Sequence, residues 1–176
     1  MLGDHYLFRK CEPYEGSARV PFLIQGSEEL GFQSGAIHRG PVCLEDLAPT
    51  ITEVAGADTP DGMDGRSLVP ILRGDASPVR SVLHGEHNPC YDLDQAFHML
   101  TDGRQKFIWR PHNGIEQLFD LDADPNECHN LATRPDHLDD LRLWRRRMVD
   151  HLADRPEGFS DGERLVTGRR YSHLLN

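Results

Sequence analysis

Leu2-Gly3-Asp4-His5-Tyr6-Leu7-Phe8-Arg9-Lys10-Cys11-Glu12-Pro13-Tyr14-Glu15-Gly16-Ser17-Ala18-Arg19-Val20-Pro21 is the stretch whose chemistry organises the chain. Three side chains that handle anions and protons, His5, Lys10 and Arg19, fall among Gly3, Pro13, Gly16 and Pro21, residues that favour loops over regular elements. Loops carried on a scaffold are where binding and catalytic groups concentrate. The apolar run at residues 20–24 follows, closed by Gly26, and suits a short buried strand.

Outward from this stretch the pattern changes three times. Residues 26–40 are polar and Gly-rich and read as a surface connection. Leu44, Leu47, Ala48, Ile51, Val54 and Ala55 then recur at helical spacing, with Gly56 as the stop and Pro49 tolerated in the first turn of a helix that starts near Asp46. Ser67 suits the cap of a short helix through Leu72. From residue 81 the period becomes that of strands. Runs at 81–87, 96–101, 106–110 and 116–121 are short and β-branched or aromatic, and Asp102-Gly103 and Asn113-Gly114 separate the last three, which predicts an antiparallel meander. Phe107 and Trp109 share one face while Lys106 and Ile108 share the other, so neither face is purely wet. A last helix over 135–153 carries Leu138, Leu141, Trp144, Met148 and Leu152 on one side, and the polar tail after Pro156 reads as a loop or an arm over a neighbour.

The opening stretch resembles the segment that follows the metal-binding Asp-His of the sulfatases, the arylsulfatase-type members of the alkaline phosphatase superfamily. Two blocks carry the resemblance: Leu2-Gly3-Asp4-His5 continuing to Lys10, and Tyr14-Glu15-Gly16-Ser17-Ala18-Arg19-Val20-Pro21. Met1 then matches the end of the family's Ser-Asp-His-Gly-Glu-Met, so the chain is expected to begin in mid-motif. Further blocks match in order. They are Leu44-Glu45-Asp46-Leu47-Ala48-Pro49-Thr50, Gly62-Met63-Asp64-Gly65-Arg66-Ser67-Leu68, Lys106-Phe107-Ile108-Trp109, and Gln117-Leu118-Phe119-Asp120-Leu121 leading to Asp124-Pro125-Asn126-Glu127.

The resemblance implies an α/β fold, the C-terminal part of an alkaline-phosphatase-like sulfatase ending in a small antiparallel sheet with a terminal helix. Residues 1–80 would complete the main α/β domain, 81–155 the subdomain with its helix, and 156–176 an extended tail. It implies hydrolysis of a small-molecule sulfate ester by a formylglycine beside a divalent cation, calcium or manganese. Neither cofactor is held by residues present here: Cys11 has Pro13 two residues on, but Glu15 stands where the formylglycine motif needs Arg. Lys10 matches the family lysine that contacts the sulfate, although a lysine on a loop is by itself an exposed lysine. His5 is expected to touch substrate or leaving group, and Glu15 and Arg19 to pair with each other or with backbone, supporting the loop that aims Lys10. The truncated chain alone is expected to be inactive. A phosphonate or phosphate diester hydrolase on the same fold is the alternative, and a non-catalytic binding or assembly module is another.

Two other constellations have competing readings. His84-Gly85-Glu86-His87 offers metal-competent side chains, but a strand points His84 and Glu86 one way and His87 the other, so a metal site, a pocket wall and polar packing all remain open. Asp120, Asp122 and Asp124 imitate the start of a calcium loop, yet Pro125 replaces its glycine and Leu131 its closing glutamate, which favours a capping turn.

The formal net charge of −10, from 29 acidic against 19 basic residues, argues against nucleic acid or an anionic membrane as a partner. The exception, Arg145-Arg146-Arg147, has aspartates within helical reach and reads as a solvated face. No apolar stretch is long enough to span a bilayer. The four cysteines make neither a zinc pattern nor a disulfide framework, which points to free thiols in a reducing, cytoplasmic compartment. A homo-oligomer, or association with the missing N-terminal part, is expected.

Overall fold

Four short runs form one sheet in the order β1 (Leu83–His87), β2 (Phe97–Thr101), β3 (Gln105–Trp109) and β4 (Glu116–Asp120). The β2–β3 and β3–β4 pairs are antiparallel, with Lys106 opposite Thr101 on one side and Phe119 on the other. Because side chains alternate across the pleat, this register sorts them into two sets. Phe107, Trp109, Leu100, His98 and Leu118 lie on one face, and Lys106, Ile108, Met99 and Phe119 on the other.

Both faces are covered. The helix α4 (Leu138–His151) buries Leu141, Trp144 and Met148, and the Trp144 indole N–H donates to Gln105 Oε1 at 2.7 Å. Leu138, expected in the same stripe, is largely exposed in the first turn. Phe159 is fully buried edge-on to Trp109 and His98. The described part of the tail therefore lays Phe159 on its own sheet, where a loop or an arm over a neighbour was expected. The second face receives the opening stretch of the chain.

This computed structural model describes residues 1–89 and 92–169. Cys11, Cys43 and Cys128 are free, whereas Cys90 and the last residues of the tail lie outside the described residues. Contacts divide the chain into two units, Met1–Val20 with everything from His84 onward, and Pro21–Leu83. The division at residue 80 concerns the complete fold implied by the resemblance; the chain's own contacts send its first segment to the small sheet.

The second unit contains α2 (Leu47–Val54) and α3 (Val69–Leu72). Among the described residues no strand falls between 21 and 82, and the expected strand at 20–24 is not formed. Leu23 is 87% exposed. A strand exists only through pairing, and no neighbouring strand lies there to accept it.

What holds this unit is Asp46, buried at the head of α2. Its carboxylate accepts from the Cys43 and Arg66 backbone N–H groups at 2.8 Å each and from both terminal nitrogens of the buried Arg80. Thr50 extends the network, accepting the Leu68 N–H at 2.9 Å and donating to the Asp46 carbonyl. A Cβ at Gly65 would stand 2.0 Å from the Glu45 carbonyl oxygen, so only glycine lets the two segments meet. The Leu44 and Gly62 blocks thus owe their form to packing.

Burial pushes the Asp46 carboxyl up, but Arg80 and the two N–H groups outweigh it and hold its pKa below the ordinary aspartate value. A depressed folded pKa stabilises above the unfolded value near 3.9 and loses that contribution as pH falls through the folded value. Asp46→Asn is expected to be destabilised at neutral pH, with a shallower loss of urea resistance on acidification than the parent. Identical acid limbs in the two proteins would contradict this placement.

Candidate functional site

The opening stretch folds as a tight, strained loop. A 3-10 turn (Asp4–Tyr6) follows Gly3 in the left-handed region, and an isolated bridge joins Leu2 to Phe8. His5, Tyr6, Arg9 and Cys11 also have positive φ, at 52°, 60°, 82° and 76°. Non-glycine residues adopt this region rarely and at a cost, and such strain gathers at functional sites. Lys10 sits between two of them. It is exposed, and no partner engages its ammonium among the described residues.

The loop is pinned just beyond Lys10. The helix α1 (Glu15–Ala18) follows Tyr14, whose buried ring stacks on His5 at 4.1 Å and meets Phe119 edge-on at 6.2 Å. Tyr14, Phe97, Ile108 and Phe119 form a core to which Met1 and Leu7 add. The Tyr14 hydroxyl exchanges hydrogen bonds with the Gln117 amide at 3.1–3.2 Å.

Beneath Tyr14 lies the buried ammonium of Lys106. It donates to the Pro13 carbonyl at 2.9 Å and stands 2.7 Å from Glu15 Oε1 and 2.8 Å from Glu127 Oε1. The Glu127 contact is an ion pair without hydrogen-bond alignment at that oxygen, while Glu127 Oε2 accepts the Glu15 backbone N–H at 2.5 Å. Arg110 binds Glu12 at 3.0 Å as a second tie.

The other expected site residues occupy distinct positions. His5 directs Nε2 to the Asn126 carbonyl at 3.0 Å, which requires the proton on Nε2 and leaves Nδ1 for other contacts. Glu15 meets Arg19 only at 3.7 Å, with Arg19 mostly exposed, and its main partner is Lys106. Lys106 and Glu127 were not singled out from sequence. The available signal was a lysine at a β3 position that shares its strand face with Ile108.

The resemblance implies a formylglycine and a divalent cation, and the residues of the opening stretch and the aspartates at 120–124 do not fit either. Glu15, at the position where the motif needs Arg, is committed to Lys106, and the Asp4 carboxylate accepts the Leu2 N–H while His5 is tied to Asn126. The aspartates at 120–124 make a turn: Asp120 accepts from the Asp122 and Ala123 N–H groups, Asp124 from His129, and Asp122 pairs with Arg104. In the arginine run, Arg145 pairs with Glu116, Arg146 with Asp150, and Arg147 lies over the Trp144 ring.

The family model for the C-terminal part of N-sulphoglucosamine sulphohydrolase matches residues 3–153. The chain belongs to this sulfatase family. An arylsulfatase from Clostridium perfringens is 36% identical over 175 residues, 99% of this chain and 36% of its own. A choline-sulfatase from Rhizobium meliloti is 35% identical over 77% of this chain and 25% of its own. Among solved structures, a phosphonate monoester hydrolase from Silicibacter pomeroyi superposes with a TM-score of 0.59 at 27% identity, covering 81% of this chain and 32% of its own. This sulfatase chain thus spans about a third or less of the length of these relatives. Among the described residues, no helix is long and apolar enough to cross a membrane.

Removing one partner of a buried ionic cluster leaves the others desolvated and unpaired, at a cost of about 3–5 kcal/mol. Lys106→Met is expected to lower unfolding free energy by that order, read in urea from the fluorescence of Trp109 and Trp144. Arg104→Met, at an exposed pair, should leave the midpoint unchanged. A Lys106→Met protein as stable as the parent would show that the cluster contributes nothing.

Proposed function

We propose that this chain is the C-terminal part of a sulfate ester hydrolase and that Lys10 presents its ammonium to the sulfuryl group of a small-molecule substrate. The observation that carries the reading is an exposed, unengaged lysine set between two left-handed residues on a loop anchored by a buried ion cluster. Such anchoring fixes where the charge stands before substrate arrives. A fixed cation neutralises oxygen charge that grows as the ester bond breaks, without reorganisation during the reaction. His5 Nδ1, on a ring clamped by Tyr14 and Asn126, is the second group for substrate or leaving group. Glu15, through Lys106, positions both, and Arg19 lies at the rim.

The complete enzyme would hold calcium or manganese and a formylglycine through residues outside this chain, and these would supply the nucleophile and polarise the ester. A cytoplasmic location belongs to the same reading, supported by cysteine spacing that makes no disulfide framework. The similarity to a phosphonate monoester hydrolase supports phosphonate or phosphate diesters as the second substrate class.

In the whole protein, Lys10→Ala is expected to reduce aryl sulfate turnover at saturating substrate by about 10²- to 10³-fold. Lys10→Arg should recover only part of it, because a planar fork does not reproduce a compact ammonium. Arg147→Ala should stay within about twofold of the parent. Full turnover by Lys10→Ala would overturn the role of Lys10, and preference for a phosphonate ester over the sulfate would move the assignment to the second class.

A further inference from the structure

On the sheet face covered by α4, three imidazoles and a carboxylate converge. β1 directs His84 and Glu86 to this face, β2 adds His98, and His151 at the end of α4 brings its ring centroid to 4.3 Å from that of His84. His84 Nε2 lies 3.1 Å from His98 Nδ1, which lies 3.3 Å from Glu86 Oε2, and the three ligand atoms are all within 4.8 Å of one another.

Either one Nδ1 proton is shared between the His84 nitrogen and the Glu86 oxygen, or, in the other tautomer, two lone pairs face each other across 3.3 Å. Protonating a ring is resisted. Burial first, then the neighbouring histidines and Arg155, push His84 and His98 down to about 3, and His151 is also lowered.

A cation at the centre would use all three lone pairs at once. Tetrahedral zinc, with ligands at about 2.0–2.2 Å, sets neighbouring donors roughly 3.4 Å apart. Two of the separations already stand near that value, and the third needs only a turn of the half-exposed Glu86 side chain. Arg155 holds Glu86 at 3.0 Å and is itself paired with Glu157 at 3.1 Å. Its Nη2 contacts both carboxylate oxygens, Oε1 at 3.2 Å and Oε2 at 3.0 Å, and so fixes the carboxylate beside His98, with its own charge offset by Glu157.

We propose that His84, Glu86 and His98 form a three-residue binding site for a zinc-class divalent ion. The donors, two imidazoles and one carboxylate, suit zinc and its transition-metal neighbours, in contrast to the oxygen-only sets preferred by calcium or magnesium. Such an ion would tie β1 to β2 at the sheet edge.

The test is titration of the 176-residue chain with Co²⁺. A one-to-one visible d–d spectrum of four-coordinate cobalt, displaced by Zn²⁺, is expected. His84→Ala with Glu86→Gln should weaken binding by at least about 100-fold, since losing even an outer partner of a ligand costs 10- to 100-fold. Glu86→Gln alone, at a partly exposed position, keeps the test interpretable if the double variant loses its far-UV signal, and it too should weaken binding. Absence of the spectrum in folded parent protein, a spectrum unchanged in Glu86→Gln, or sulfur-to-cobalt charge transfer marking the cysteines would overturn the proposal.

Discussion

The contact on which the rest depends is the desolvated ammonium of Lys106 between Glu15 and Glu127. Withdrawing these charges from water costs several kcal/mol per ion, and their mutual attraction recovers it only where the geometry is close. The cluster is therefore a weak source of net stability and a strong source of specificity. Glu15 Oε1, the Pro13 carbonyl and Glu127 all reach Nζ together. Tyr14 is seated in the core by the same contacts, since it is the residue between Pro13 and Glu15.

From this anchor follows the separation of roles in the opening stretch. The residues that hold it, Tyr14, Glu15 and the two sheet-side charges, are buried or half-buried, whereas Lys10 is displayed. Backbone strain at Arg9 and Cys11 persists only if the surroundings over-determine it, and the ties at Tyr14, Lys106 and Arg110 do so. The second unit uses a buried carboxylate in the same way, with Asp46 collecting donors from Cys43, Arg66 and Arg80. In both units an ion pair far apart in sequence defines how segments meet, while apolar burial by Trp144, Phe107 and their neighbours supplies the driving force.

The strands and the terminal helix were legible because their apolar periods are strong and local: β1, β2 and β4 lie within the expected runs, β3 is offset from its run by one residue, and α2 begins at Leu47 with Pro49 in its first turn. The opening blocks were legible as a resemblance. The role of Lys106 was not, because alternation sets it beside Ile108 on a face that is not purely wet without revealing the two carboxylates from distant segments that close over it. The imidazole cluster was half legible. Alternation put His84 and Glu86 on one face, but His98 and His151 join them only through strand order and helix docking. The run at 20–24 was misread since apolar character favours a strand without providing a neighbour to pair with.

Amide hydrogen exchange of a Glu15→Gln variant tests the central dependence most directly. The substitution keeps the shape of the side chain and removes one charge from Lys106, without touching the sheet. The account predicts faster exchange at Ser17, Ala18 and Arg19, whose N–H groups bond to the Tyr14 and Glu15 carbonyls, with β3 and β4 still protected. Unchanged protection of those three amides in a folded variant would contradict it.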